Sequence, residues 1–386
     1  MGHRISRLLD ETASTLAGVL HRRSPPNPNT LHQLELFHGR TPAELMPEPA
    51  LPARVDIKPR WRNAEFLCED LSFASPHEPV SDEFRRRHEA EYQANATVHV
   101  QWIRHLARPE LPTLIYLHSW MQPDFKWEER NMLPGLARKL GMHVARMQLP
   151  YHGKRRPKGS LFHGEYFWTA DLVRTIEAIR QTVVDARALI GWLDSTGQGP
   201  IGMSGASLGG MMTLTTACVE PKLSFAISVA AHLDLPSVML EASLLTRFRR
   251  ELATFGWGPE HVGDYLRELG FQELKPAIPK DRILLIAGKY DRILRPERLK
   301  ALWKRWEEPH LAWFEGGHVE MFRYLRGPVR EMRTFIDGLG LDANAASQPA
   351  VVRVPAAPDA PAAAVAAPGE PGAAPAPDPD TKSLWA

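Results

Sequence analysis

Between about Glu65 and Leu341 the chain repeats one pattern, a short apolar run followed by a longer amphipathic stretch. Runs such as "PTLIYLHSW", "LSFAISVAA" and "RILLIAGKYD" are apolar nearly throughout, as strands covered on both faces must be. Between them lie helical patterns. The longest runs from about Thr169 to Asp194, where Leu172, Ile176, Ile179, Val183, Ala186, Ile190 and Leu193 step by three and four along one stripe. Strand and helix in alternation dictate an α/β fold with a doubly wound, mostly parallel sheet. A charged helical segment at about 233–280 interrupts the alternation and reads as a helical cap insertion. In such sheets ligands bind beyond the carboxyl ends of the strands. The residues that carry chemistry are therefore expected there.

The ends of the chain read differently. Residues 1–59 combine an N-terminal helical pattern with a proline-rich extension ("SPPNPNT", "TPAELMPEPALP") that reads as a wrap or linker. Ile5, Leu8, Leu9, Leu16, Val19 and Leu20 give the helix an apolar stripe. Asp10 and Glu11 stand where a signal peptide would need an apolar core. Residues 342–386 are dominated by Ala and Pro, lack bulky apolar groups and are expected to be disordered. The central domain is thus expected at 60–341.

Lys+Arg 47 against Asp+Glu 45 gives no global charge argument for nucleic acid. No apolar run is long enough to span a bilayer, although the N-terminal helix leaves peripheral membrane contact open. Cys68 and Cys218, the two cysteines, have no metal-type spacing and suit a reducing cytoplasm. No metal or other cofactor is expected, since neither H-E-x-x-H nor a phosphate-loop motif is present.

Three strand ends carry a distinctive residue. "PIGMSGA" runs into Ser207, "RILLIAGKYD" ends at Asp291, and "HLAWFEGG" runs into His318. A serine hydroxyl becomes a competent nucleophile when an imidazole takes its proton, and a carboxylate orients that imidazole. Ser207 sits in G-A-S-L-G, with Gly205 and Gly209 two residues to either side, as a sharp strand-to-helix turn requires. Ser204 has nearly as small neighbours, Gly202 and Ala206. Helical periodicity begins only at Leu208, so register favours Ser207 and leaves Ser204 inside the strand. Asp281, Glu297 and Glu320 are rival carboxylates near Asp291.

The order Ser–Asp–His, the G-x-S-x-G turn, the loop "AGKYDRILRPE" and the "GGH" together resemble the α/β-hydrolase superfamily, over roughly Glu65 to Leu341. That resemblance implies a catalytic triad of Ser207, Asp291 and His318, and an oxyanion hole with the Leu208 N–H as one donor. "TLIYLHSW" resembles the His-Gly-X loop of the superfamily with Ser119 at the glycine position, which implies the Trp120 N–H as second donor and offers the Ser119 hydroxyl to substrate. The P-Y-x-G-x-R-x-P form of "LPYHGKRRPKGS" resembles a little-characterised branch of abhydrolase-domain proteins.

The expected activity is hydrolysis of a carboxylic ester or thioester through an acyl-enzyme. Peptidase or acyl-transfer chemistry on the same residues, and a non-catalytic binding protein of this fold, are the competing readings. Lys154, Arg155, Arg156 and Lys158 read either as a solvated loop or as a site for an anionic substrate group, and Tyr166 belongs to an aromatic cluster that either packs a core or lines an acyl pocket. The expected partner is thus a small-molecule ester, lipid-like or anionic.

Overall fold

The computed structural model describes residues 2–20, 30–122, 128–323 and 326–341. The tail 342–386 and residues 21–29 of the proline-rich extension lie outside the described residues.

A single nine-stranded sheet has the order β1-β2-β3-β5-β4-β6-β7-β8-β9. The strands are β1 (Asp56–Arg62), β2 (Phe66–Ala74), β3 (Thr97–His105), β4 (Thr113–Leu117), β5 (His143–Met147), β6 (Ile201–Ala206), β7 (Phe225–Val229), β8 (Ile283–Gly288) and β9 (His310–Phe314). From β5 through β9 all neighbours are parallel, and β1, β2 and β3 extend the sheet antiparallel at one edge. β4, β5, β6, β7 and β8 are buried along their whole length, which is why their sequences lack polar alternation.

The helices are α1 (Gly2–Leu20), α2 (Thr30–Gln33), α3 (Pro42–Leu45), α4 (Asp82–Glu91), α5 (Leu133–Leu140), α6 (Leu172–Ser195), α7 (Leu208–Ala217), α8 (Leu235–Glu241), α9 (Thr246–Thr254), α10 (Pro259–Arg267), α11 (Pro296–Arg305), α12 (Glu320–Arg323) and α13 (Arg326–Gly338). The stretch expected as a cap insertion is made of α8, α9 and α10 with short turns between them. No described helix is long and apolar enough to cross a membrane.

Three features differ from the sequence expectation. First, β1 lies in the proline-rich stretch. Its residues are mostly exposed and it pairs only with β2, so an edge strand tolerates Pro59 at a register shift. Second, of the two readings of the proline-rich extension, residues 31–46 follow the wrap and not the linker. Leu31, Leu34, Phe37, Leu45 and Met46 are buried in the main core, and α6 is covered on its polar side as well as its apolar stripe. Arg180 and Arg187 of α6 donate to the carbonyls of Leu45 and Met46, at 2.7 and 2.6 Å, so these buried cations are satisfied by the wrap. Third, α1 buries a strip of small and polar residues in place of its apolar stripe. Ser6, Asp10 and Ala17 are buried, while Leu8 is 65% and Val19 75% exposed.

Candidate active site

The turn from β6 into α7 is built by what cannot be there. A Cβ on Gly205 would lie 2.3 Å from the Gly209 backbone, and one on Gly209 would lie 2.1 Å from the Leu117 carbonyl oxygen. Backbone cannot yield as a side-chain tip does, so both positions require glycine. Ser207, between them, has φ 54° and ψ −118°, a conformation that costs a non-glycine residue about 1–3 kcal/mol. Its N–H donates to the Val229 carbonyl (2.9 Å), which pins the strained residue to the end of β7. Ser204 lies buried within β6, opposite Tyr116 of β4 and Ile227 of β7. The register thus separates the two serines.

The loops after β8 and β9 bring the other two residues to Ser207. Asp291 is buried; its Oδ1 accepts from the N–H groups of Ile293 (2.9 Å) and Leu294 (2.8 Å), which fixes the carboxylate. Its Oδ2 stands 2.7 Å from His318 Nδ1, and His318 Nε2 stands 2.8 Å from Ser207 Oγ. A carboxylate only accepts, so Nδ1 carries the proton, and the neutral ring's Nε2 accepts from the serine hydroxyl. Burial pushes the His318 pKa down, but the Asp291 charge, its hydrogen bond and the Asp10 charge outweigh that and hold it above the usual 6.5. The arrangement can remove a proton from Ser207 and stabilise the resulting imidazolium.

Leu208 opens α7, so its N–H has no acceptor within the helix. Leu208 and Trp120 both line an apolar pocket at Ser207, together with Trp168, Leu244, Leu245 and Ile293. The pocket measures about 40 Å³. The preceding loop is held by His118, which burial keeps neutral by pushing its pKa far below 6.5. His118 Nε2 accepts from the Leu149 N–H (3.1 Å), so Nδ1 is the protonated nitrogen and donates to the Ser119 carbonyl (2.9 Å). Among the described residues, no group of three or more His, Cys, Asp or Glu is placed to hold a metal ion.

Three of the four residues offered to substrate by sequence make contacts of their own within the protein. The Ser119 hydroxyl donates to the Ala206 carbonyl (2.9 Å), tying the loop to the end of β6 instead of facing a ligand. Arg155 is fully buried; it forms an ion pair with Asp185 of α6 at 2.8 Å and donates to the Gln148 and Asn95 carbonyls. A buried guanidinium needs such partners, and they engage its Nη1 and Nη2. Arg156 is exposed and does not line the Ser207 pocket. Tyr166 packs edge-on against Tyr92 and Tyr151, with the Arg174 guanidinium over its ring at 4.7 Å; Trp168 lines the pocket in its place.

Sequence reasoning missed a polar groove of about 950 Å³ lined by Arg247, Arg250, Arg292 and Arg295, with Asp10, Glu11 and Glu241. Residues 241–246 and 292–295 contribute to both this groove and the apolar pocket. No motif marks it, because its arginines come from separate elements.

Two of the solved structures that share this architecture are acetyl xylan esterases. Acetyl xylan esterase 1 from Thermoanaerobacterium sp. JW/SL YS485 matches with TM-score 0.54 at 16% identity, over 84% of this chain and 98% of that one. The acetyl xylan esterase from Paenibacillus sp. R4 matches with TM-score 0.53 at 13% identity, again over 84% and 98%. At these identities the likeness establishes the fold. Two uncharacterized proteins of Mycobacterium tuberculosis, from strains CDC 1551 / Oshkosh and H37Rv, are each 31% identical over 197 residues. That match takes in 50% of this chain and 45% of each relative, so the chain spans less than half the length of these relatives. The family model described as "Alpha/beta hydrolase domain containing 18" matches residues 27–238, more than half of the chain. On that match the chain belongs to the family Alpha/beta hydrolase domain containing 18, within the α/β-hydrolase superfamily.

Proposed function

We propose that this protein is a serine hydrolase that cleaves carboxylic esters or thioesters of short acyl groups through an acyl-enzyme. Membership of an alpha/beta hydrolase family supports hydrolytic chemistry. The observation that carries the finer reading is the unbroken hydrogen-bonded line from Ser207 through His318 to Asp291 beside an apolar pocket. Ser207 Oγ attacks the acyl carbon as His318 Nε2 takes its proton. The N–H groups of Leu208 and Trp120 stabilise the oxyanion, each such donor being worth about 3 kcal/mol. The imidazolium then protonates the leaving alcohol or thiol, and water repeats the sequence to release the acid.

The apolar pocket beside Ser207 is small, about 40 Å³, and Leu244 and Leu245 form part of its wall, which favours a short acyl group such as acetyl over a long chain such as octanoyl. The expected result in a p-nitrophenyl ester series is therefore kcat/KM falling steadily from acetyl to octanoyl. Rising values with chain length would overturn the short-acyl assignment. The arginine groove across the shared wall favours a leaving group bearing negative charge, and acetyl esters of neutral and acidic alcohols compared in the same series test that preference.

The pH profile follows from His318. The reaction needs the neutral ring, and the ring's pKa is raised, so it protonates at a higher pH than an ordinary histidine. kcat/KM is expected to fall on the acid side with a midpoint above 6.5. A profile flat across the neutral range would contradict His318 as the base.

A further inference from the structure

We propose that Asp10 of α1 is a positioning residue that holds the Asp291 loop and the His318 loop in reacting register. This rests on the serine-hydrolase reading above. Asp10 is buried, and its carboxylate makes three charge-assisted hydrogen bonds to backbone. Oδ2 accepts from the N–H of Arg292 (3.1 Å), next to Asp291, and from the N–H of His318 itself (3.1 Å). Oδ1 accepts from the Val319 N–H (3.0 Å). One side chain thus bridges the loops that follow β8 and β9, the two elements whose separation sets the Asp291–His318 distance.

The surroundings are shaped for this contact. A Cβ on Gly317 would lie 2.9 Å from Asp10 Oδ2 and 3.1 Å from Ser6 Cβ, so the second glycine of "GGH" admits the helix. Ser6, one turn before Asp10, donates to Glu320, and Glu320 in turn accepts from the Gly317 N–H (2.8 Å). The orientation of α1 points the same way. A surface helix ordinarily buries its apolar stripe, yet α1 leaves Ile5, Leu8, Leu16 and Val19 exposed and turns Ser6 and Asp10 inward. Hydrophobic burial therefore does not explain its pose, whereas the polar contacts to the two loops do. Asp10 touches no reacting atom, so its effect passes through Asp291 and His318.

The test uses Asp10→Ala and Asp10→Asn in the full chain, with Leu8→Ser on the outer face as a control for α1. Turnover of p-nitrophenyl acetate, thermal unfolding and the far-downfield proton resonance of the Nδ1–H between His318 and Asp291 are measured on each. A displacement on the order of 1 Å at reacting groups costs about 100-fold. Both Asp10 variants are expected to lose about 10- to 100-fold in kcat with KM nearly unchanged, while the downfield resonance broadens or vanishes and Leu8→Ser matches wild type. Wild-type kcat per folded molecule with an intact resonance would overturn the proposal, as would a loss wholly accounted for by unfolding. If wild type itself neither turns over nor labels at Ser207, the serine-hydrolase reading fails, and the resonance alone then decides whether Asp10 sets the His318–Asp291 geometry.

Discussion

Ser207→Ala is expected to lower kcat by about 10⁴- to 10⁶-fold while leaving the fold intact. The size follows from the division of labour at the site. His318 and Asp291 act only through the serine hydroxyl, so removing it idles all three, and nucleophile loss costs about as much as loss of the whole triad. What remains is the oxyanion hole and substrate binding, worth about 10³- to 10⁴-fold over water in comparable sites. The fold is spared because alanine and serine bear the same strain at φ 54°, and no side-chain hydrogen bond of Ser207 caps α7. The check is kcat on p-nitrophenyl acetate beside a thermal melt. Activity retained within about tenfold would remove Ser207 from the chemistry.

Arg155→Ala is expected to act on stability instead. Arg155 and Asp185 are both fully buried, and the substitution leaves the carboxylate with Ser75 as its remaining hydrogen-bond partner. Burial already holds the Asp185 pKa above its ordinary value, against the pull of Arg155, so without the guanidinium the carboxyl takes up a proton rather than stay bare. Breaking one side of a buried pair costs about 3–5 kcal/mol. A lower denaturant midpoint, with kcat per folded molecule unchanged, is the expected result. An unchanged midpoint with a raised KM for acidic esters would return Arg155 to the substrate.

These two residues show what the sequence carries and what it withholds. Ser207, Asp291 and His318 stand out because parallel strands share one carboxyl edge: residues at the ends of β6, β8 and β9 become neighbours whatever their separation along the chain. The glycines at 205 and 209 were legible for the same local reason, since the turn itself demands them. Arg155 was not. Its charge reads the same whether it is solvated or paired, and Asp185 lies on a different element, within a helix whose polar side looks solvent-facing until residues 31–46 cover it. β1 escaped because an edge strand can be polar and hold a proline. Asp10 read only as a charge where a signal peptide would need an apolar core. Its partners, Arg292, His318 and Val319, lie 282 to 309 residues away, and no local pattern points to them.

The central claim is that Ser207 is an activated nucleophile. Fluorophosphonates phosphonylate a serine, with loss of fluoride, only where a neighbouring base and oxyanion donors activate it. Treatment of the full chain with such a probe, followed by peptide mapping, is predicted to give one adduct per molecule, on Ser207, absent from Ser207→Ala and strongly slowed in His318→Ala. Labelling that persists in Ser207→Ala, or falls on Ser204 in the wild-type chain, would contradict the account.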